Sequence, residues 1–327
     1  MTPELLAKEN VNPPASFDEI AKLEKFIGHS LPEDLVDLYK QYNGLSIDKK
    51  SDYCVPMRLM PIQEVIEYHQ LVNGAGPDNF LSKKNFLVRF WTDDQSNEAG
   101  YLLEDPLSGF ISFSDHEGDY LGDYSPVFGT TSEFLDSLCC IYEFNKNSDL
   151  WESEEISDQE LVTRTKNNKK FWYKCPTTQL EWNSVVQCKP LTTDENRVNE
   201  IITLCENEIN SSSDLEFHLA FYLYTLARIS PDPHHPLLLK YLDDESDMYI
   251  PGTLSLILLT RFGSIFVPKA LQTLESAHRN NESVIIRGLL NSVLKGNAKE
   301  KEILPFLETE AKELYMLWKS WETPDFE

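Results

Sequence analysis

The sequence predicts an α+β domain followed by an all-helical domain, on three observations. Residues 16–44 carry two helical periods, each with its own start and stop signals. Residues 86–113 hold three aromatic and apolar segments whose connections are too short for helical crossovers, and from Asp194 onward strand signals cease. The 327 residues suffice for two domains that each bury a core, and 41% hydrophobic residues with a mean hydropathy of −0.38 fit a soluble globular protein.

Residues 1–14 read as a short lead-in without an assignable function. Ser16 with Glu19 three residues later is a capping-box signature, and Ile20, Leu23, Phe26 and Ile27 then recur on one helical face up to the stop at Gly28. Pro32 suits the first turn of a second helix, where its missing N–H costs nothing; Leu35, Leu38, Tyr39 and Tyr42 share a face and Asn43-Gly44 ends the run. A third helix is predicted over residues 62–72, stopped by the turn cluster Asn73-Gly74-Ala75-Gly76-Pro77. Phe86 to Trp91, Ala99 to Leu103 and Phe110 to Phe113 read as consecutive antiparallel strands, residues 114–125 as a turn and a final short strand, and Thr131 to Tyr142 as a closing helix.

The segment from Ile20 through Leu23, Glu24, Gly28, Leu31, Pro32, Leu35 and Tyr42 to Asn43-Gly44 resembles the opening of the SUKH superfamily, and Ser132-Glu-Phe-Leu135 fits that family's closing helix. The resemblance covers about residues 15–145. It implies a small, mostly antiparallel sheet flanked by helices in a domain spanning 1–145. It also implies a binding role, since the superfamily holds bacterial toxin-immunity proteins and fungal cell-wall-assembly regulators.

Residues 146–192 read as a bridge whose charge changes sign, from Glu152, Glu154 and Glu155 to Arg164, Lys166, Lys169 and Lys170. Within it, residues 171–182 form a hairpin pattern around Pro176-Thr177-Thr178. Tyr173 and Trp182 superficially resemble a WW module, but the tryptophan spacing is wrong and the packing proline is absent, which leaves a structural hairpin. Residues 193–327 read as helices. Val198 to Ile209 would cap a stack in which first helices at 215–229, 254–262 and 284–294 alternate with second helices starting near Pro236, Pro268 and Pro305. Those prolines lie 32 and 37 residues apart, a spacing similar to HEAT-like repeats in period only; an irregular helical bundle is the alternative.

Charge is the strongest compositional signal: 54 acidic against 29 basic side chains, a net −25, with −15 in residues 1–150 and −10 in the remainder. Such a field repels phosphate, which disfavours nucleic acid and anionic membranes as direct partners and favours cationic ones; acidity for solubility alone is the bland alternative. The six cysteines form neither a zinc framework nor a disulfide pattern, the N-terminus lacks a leader pattern, and a reducing cytoplasm is the expected compartment. The longest apolar run, Leu254 to Leu259, is too short for a bilayer and predicts a buried helix.

No catalytic constellation stands out: nucleophile elbow, P-loop and dinucleotide fingerprint are all missing, so no enzymatic activity and no cofactor are expected. Cys139-Cys140 sits in a helical pattern where it packs. His234-His235 is a loop pair unsuited to a helical metal site, and the other histidines are scattered singly. The densest carboxylate group, Asp115-His116-Glu117-Gly118-Asp119 with Asp123, lacks the ligand series of a calcium loop and therefore offers no metal site. It reads either as a contact for a cationic partner or as a solvated hairpin. The expectation is a cytoplasmic immunity protein that binds a cognate, basic toxin through Asp93, Asp94, Glu117, Asp119 and Asp123. The alternative is a regulatory scaffold recruiting a partner through the helical domain.

Overall fold

The computed structural model describes residues 11–45, 57–73, 87–92, 98–114, 124–138, 190–211, 216–242, 249–270 and 299–309. The described residues fall into two compact units, 11–138 and 190–309.

In the first unit, helix α1 (Phe17–Ile27) begins at the predicted capping box: Glu19 N–H donates to Ser16 Oγ at 3.2 Å, and the Glu19 carboxylate accepts the Ser16 N–H at 2.8 Å. The Ser16 N–H and the Ser16 hydroxyl, which donates to the same carboxylate at 2.7 Å, together hold the Glu19 carboxyl below its ordinary range. Gly28 ends α1 at φ 78°, in the left-handed region. Helix α2 (Glu33–Gln41) starts one residue after Pro32, so the proline is the cap residue and not part of the first turn. Its φ of −53° is still what the ring imposes, and its carbonyl accepts the Val36 N–H at 3.0 Å. The lead-in has a structural job: Asn12 N–H donates to the Gly44 carbonyl and Asn43 N–H to the Pro13 carbonyl, each at 3.0 Å.

The sheet is an antiparallel meander in the order β1 (Arg58–Leu59), β2 (Leu87–Thr92), β3 (Glu98–Leu102), β4 (Ile111–Ser114), β5 (Pro126–Phe128), with helix α3 (Ile62–Asn73) between β1 and β2. The three anticipated strands stand within a residue of their expected bounds. The final strand lies just beyond residues 114–125, and β1 was not anticipated because two residues carry no alternation to read. Helix α4 follows over 131–138, with Thr130 Oγ1 accepting the Glu133 N–H at 3.2 Å. The core is aromatic. Trp91 packs edge-on against Phe134 with ring centroids 4.8 Å apart, Phe134 against Phe128 at 5.4 Å, and Phe90 against Tyr101 at 5.6 Å. All five rings are 1% exposed or less, and each such ring buries on the order of 150–250 Å².

In the second unit, α5 (Glu195–Ser211) turns Ile201, Cys205 and Ile209 inward at a four-residue spacing. It packs on α6 (Glu216–Ile229), which also contacts α7 (Pro236–Leu242) and α8 (Tyr249–Phe262). That central position explains why every residue from Ala220 to Ile229 is buried. The apolar run 254–259 is a buried part of α8, as its composition predicts. Arg261 of α8 donates to the Ala227 carbonyl of α6 at 2.6 Å, and burial lowers its pKa to about 10. The last of the described helices, α9 (Glu300–Thr309), contains Pro305 in its interior and not at its start, so that proline does not mark a helix N-terminus as the repeat spacing suggests. Pro268 lies among the helical residues 267–270, which follow a 3-10 turn at Gly263–Phe266, and Pro236 does open α7. The expected helix at 284–294, the hairpin at 171–182 and Cys139-Cys140 lie outside the described residues.

Candidate binding end of the sheet

The residues that make the helical signature recognisable all hold the fold. Ile20, Leu23, Leu31, Leu35 and Tyr42 are buried, and Glu24 accepts the Leu31 N–H at 2.9 Å across the turn that Gly28 opens. Asn43 Oδ1 accepts the Ile62 N–H at 2.9 Å, and its Nδ2 donates to Glu19 at 3.2 Å. Gly44 lies so close to β1 that a Cβ there would stand 2.6 Å from the Leu59 carbonyl oxygen.

One end of the sheet is chemically distinct. Thr92 pairs with Glu98 and Glu98 with Ser114, so the last residues of β2 and β4 flank the first residue of β3. The acidic connections 93–97 and 115–123 both depart from this row. Asp93, Asp94, Glu117, Asp119 and Asp123 lie in them and outside the described residues.

Beside the row sits a polar cluster inside an apolar sheet. Arg89 Nε forms an ion pair with Glu98 Oε2, and the Tyr68 hydroxyl of α3 donates to Glu98 Oε1. The Arg89 guanidinium stands 5.3 Å from the centre of the Tyr124 ring, and the Arg89 and Glu98 side chains are only 7% and 12% exposed. Burial opposes the Arg89 charge, yet Glu98, Tyr124 and Tyr68 outweigh it and raise the guanidinium pKa further. Burial, reinforced by the Glu98 charge, pushes the Tyr68 phenol well above its ordinary range. The next residue, His69, accepts the Arg89 N–H on Nε2 at 3.0 Å, where a bulge leaves Phe90 without a partner in the β2–β3 register. Burial and the Arg89 charge lower the His69 pKa to about 4, so the ring is neutral near pH 7.

Sequence reasoning missed this cluster. Its one legible signal was a charged Arg89 amid the apolar run from Phe86 to Trp91; the partner Glu98 is known only through the register. Elsewhere, His218 contacts Glu208 at 3.1 Å and His235 contacts Glu206 at 3.2 Å, which ties α6 and the turn before α7 to α5. His234 is exposed beside it, with its N–H donating to Asp232 at 2.8 Å, as a loop pair requires. Among the described residues no group of three or more His, Cys, Asp or Glu side chains could hold a metal ion. None of the described helices is long and apolar enough to cross a membrane.

A five-stranded antiparallel meander with two punctuated helices before it and a helix after it is an α+β class of fold, and its signature positions are those of a known scaffold. Residues 14–153 match the model of the SMI1 / KNR4 family (SUKH-1), which supports the SUKH superfamily for this segment. At family level this match supports, at most, an immunity or regulatory role with a protein partner for the matched segment. No curated protein matches the chain.

Proposed function

We propose that the protein is a cytoplasmic immunity protein that neutralises a cognate cationic toxin by binding it, with Asp93, Asp94, Glu117, Asp119 and Asp123 among the contacts. The observation that supports this reading is the pairing row Thr92, Glu98 and Ser114, the strand ends to which both acidic connections attach in sequence. The net charge of −25 adds electrostatic steering, which speeds encounter with a basic partner and discriminates against acidic ones. In this reading residues 1–145 form the binding domain, 146–192 a bridge and 193–327 a helical domain, and neither cofactor nor catalysis is involved.

The test is affinity capture from the native organism with the wild-type protein and with a variant whose five acidic residues are changed to Asn or Gln. Recovery of a basic toxin by the wild type, lost in the variant, supports the reading. Equal recovery by both removes the acidic residues from the contact, and failure to recover any toxin, with no toxin gene beside this one, overturns the proposal.

A further inference from the structure

We propose that the Arg89–Glu98 ion pair, braced by Tyr68 and Tyr124, is a positioning element for partner binding at this end of the sheet; the inference rests on the reading of that end given above. A buried ion pair is a poor way to gain stability, because desolvation offsets most of the attraction and well-packed apolar residues serve as well or better. Apolar packing succeeds immediately beside it: Val88, Phe90, Trp91 and Tyr101 are all 1% exposed or less. What the polar cluster adds is direction. Glu98 sits at the centre of the terminal row and is gripped from α3 by Tyr68 and from β2 by Arg89, while Tyr124, two residues before β5, has its ring beside the same guanidinium and its hydroxyl accepting a hydrogen bond from it. His69 fixes the Arg89 backbone at the bulge. Four segments are thereby tied together: the Tyr68–Glu98, His69–Arg89 and Tyr124–Arg89 hydrogen bonds tolerate little sliding, whereas an apolar contact would permit it, and the Arg89–Glu98 pair adds charge attraction between β2 and β3.

The experiment compares binding of a synthetic oligolysine peptide at low salt by wild type, by the R89M/E98L double variant, by Tyr124→Phe and by the Asp93→Asn/Asp94→Asn variant. The R89M/E98L exchange leaves the net charge unchanged. A positioning role predicts an unfolding midpoint at or above that of wild type together with about tenfold weaker peptide binding. Tyr124→Phe, which removes one hydroxyl and keeps the ring, serves if the double variant does not fold, and should weaken binding in the same direction. Wild-type affinity in the double variant, or in Tyr124→Phe when that variant stands in for it, overturns the positioning role alone. Loss of affinity only in proportion to lost folded protein makes the pair a stability element and also overturns it. Absence of binding by wild type, or no effect of Asp93→Asn/Asp94→Asn, overturns the reading of the acidic end, and the positioning role with it.

Discussion

The Asn43 carboxamide oxygen accepts the Ile62 N–H at 2.9 Å, joining the end of the helical signature to the first turn of α3 across 19 residues of sequence. The same side chain donates to Glu19 at 3.2 Å, so one amide links α1, the turn after α2 and α3. Asn43→Ala should destabilise the first unit by about 1–2 kcal/mol, the cost of an N-terminal cap together with a partly buried hydrogen bond. Asn43→Asp keeps the acceptor for Ile62 but turns the Glu19 contact into a like-charge pair; its loss of stability should shrink as salt is raised, whereas that of Asn43→Ala should not. Urea denaturation at two ionic strengths separates the two.

Two glycines of the signature differ in why they are glycine. Gly28 and Gly44 both adopt positive φ, 78° and 68°, but a Cβ at Gly28 meets nothing within 4 Å, whereas one at Gly44 meets backbone atoms of residues 59–61 at 2.6 Å. Gly28→Ala should therefore cost only the left-handed penalty, about 1–2 kcal/mol. Gly44→Ala adds a backbone overlap that no side-chain rotation relieves, and about 3 kcal/mol or more is expected. Equal destabilisation in denaturant titrations would contradict this account of the Asn43-Gly44 pair.

Local signals were legible in the sequence because their causes are local. Ser16 and Glu19 bond within one turn, Gly28 closes the same helix, and the short connections between strands dictate a meander. What depends on register was not legible: Arg89 and Glu98 meet only after the Phe90 bulge has shifted the β2–β3 pairing. Pro305 shows the complementary failure, since a proline spacing suggested a helix start and the helix instead runs through it. The acidic site residues stand out in the sequence by charge alone; the sheet contributes only the pairing of the strand ends beside them.

Helix α5 depends on Asp194, whose Oδ1 accepts the Asn196 and Arg197 N–H groups at 3.0 and 3.2 Å. Asp194→Ala should destabilise the helical unit by about 1 kcal/mol, and Asp194→Asn by less, since the amide oxygen still caps and only the charge–dipole attraction is lost. Circular dichroism melts of the three proteins rank the effects; a ranking with Asn below Ala would argue against capping as the cause.

His69 makes stability of the sheet unit depend on pH. Its folded-state pKa of about 4 lies below the ordinary 6.5 because burial and the Arg89 charge oppose protonation. Between these two values the unfolded chain binds a proton that the folded chain does not, so stability rises with pH. The contribution is fully present above about pH 6.5 and is lost as pH falls towards 4, by on the order of 3 kcal/mol over the whole window. Protonation also removes the Nε2 lone pair that accepts the Arg89 N–H at 3.0 Å, so the loss concentrates at the bulge. His69→Gln retains an acceptor but does not titrate. Urea unfolding monitored at pH 4.5, 5.5 and 7 should show a smaller pH dependence in His69→Gln than in wild type. The difference should come entirely from that acid window, and parallel curves for the two proteins would mean that His69 is protonated as readily in the folded chain as in the unfolded one.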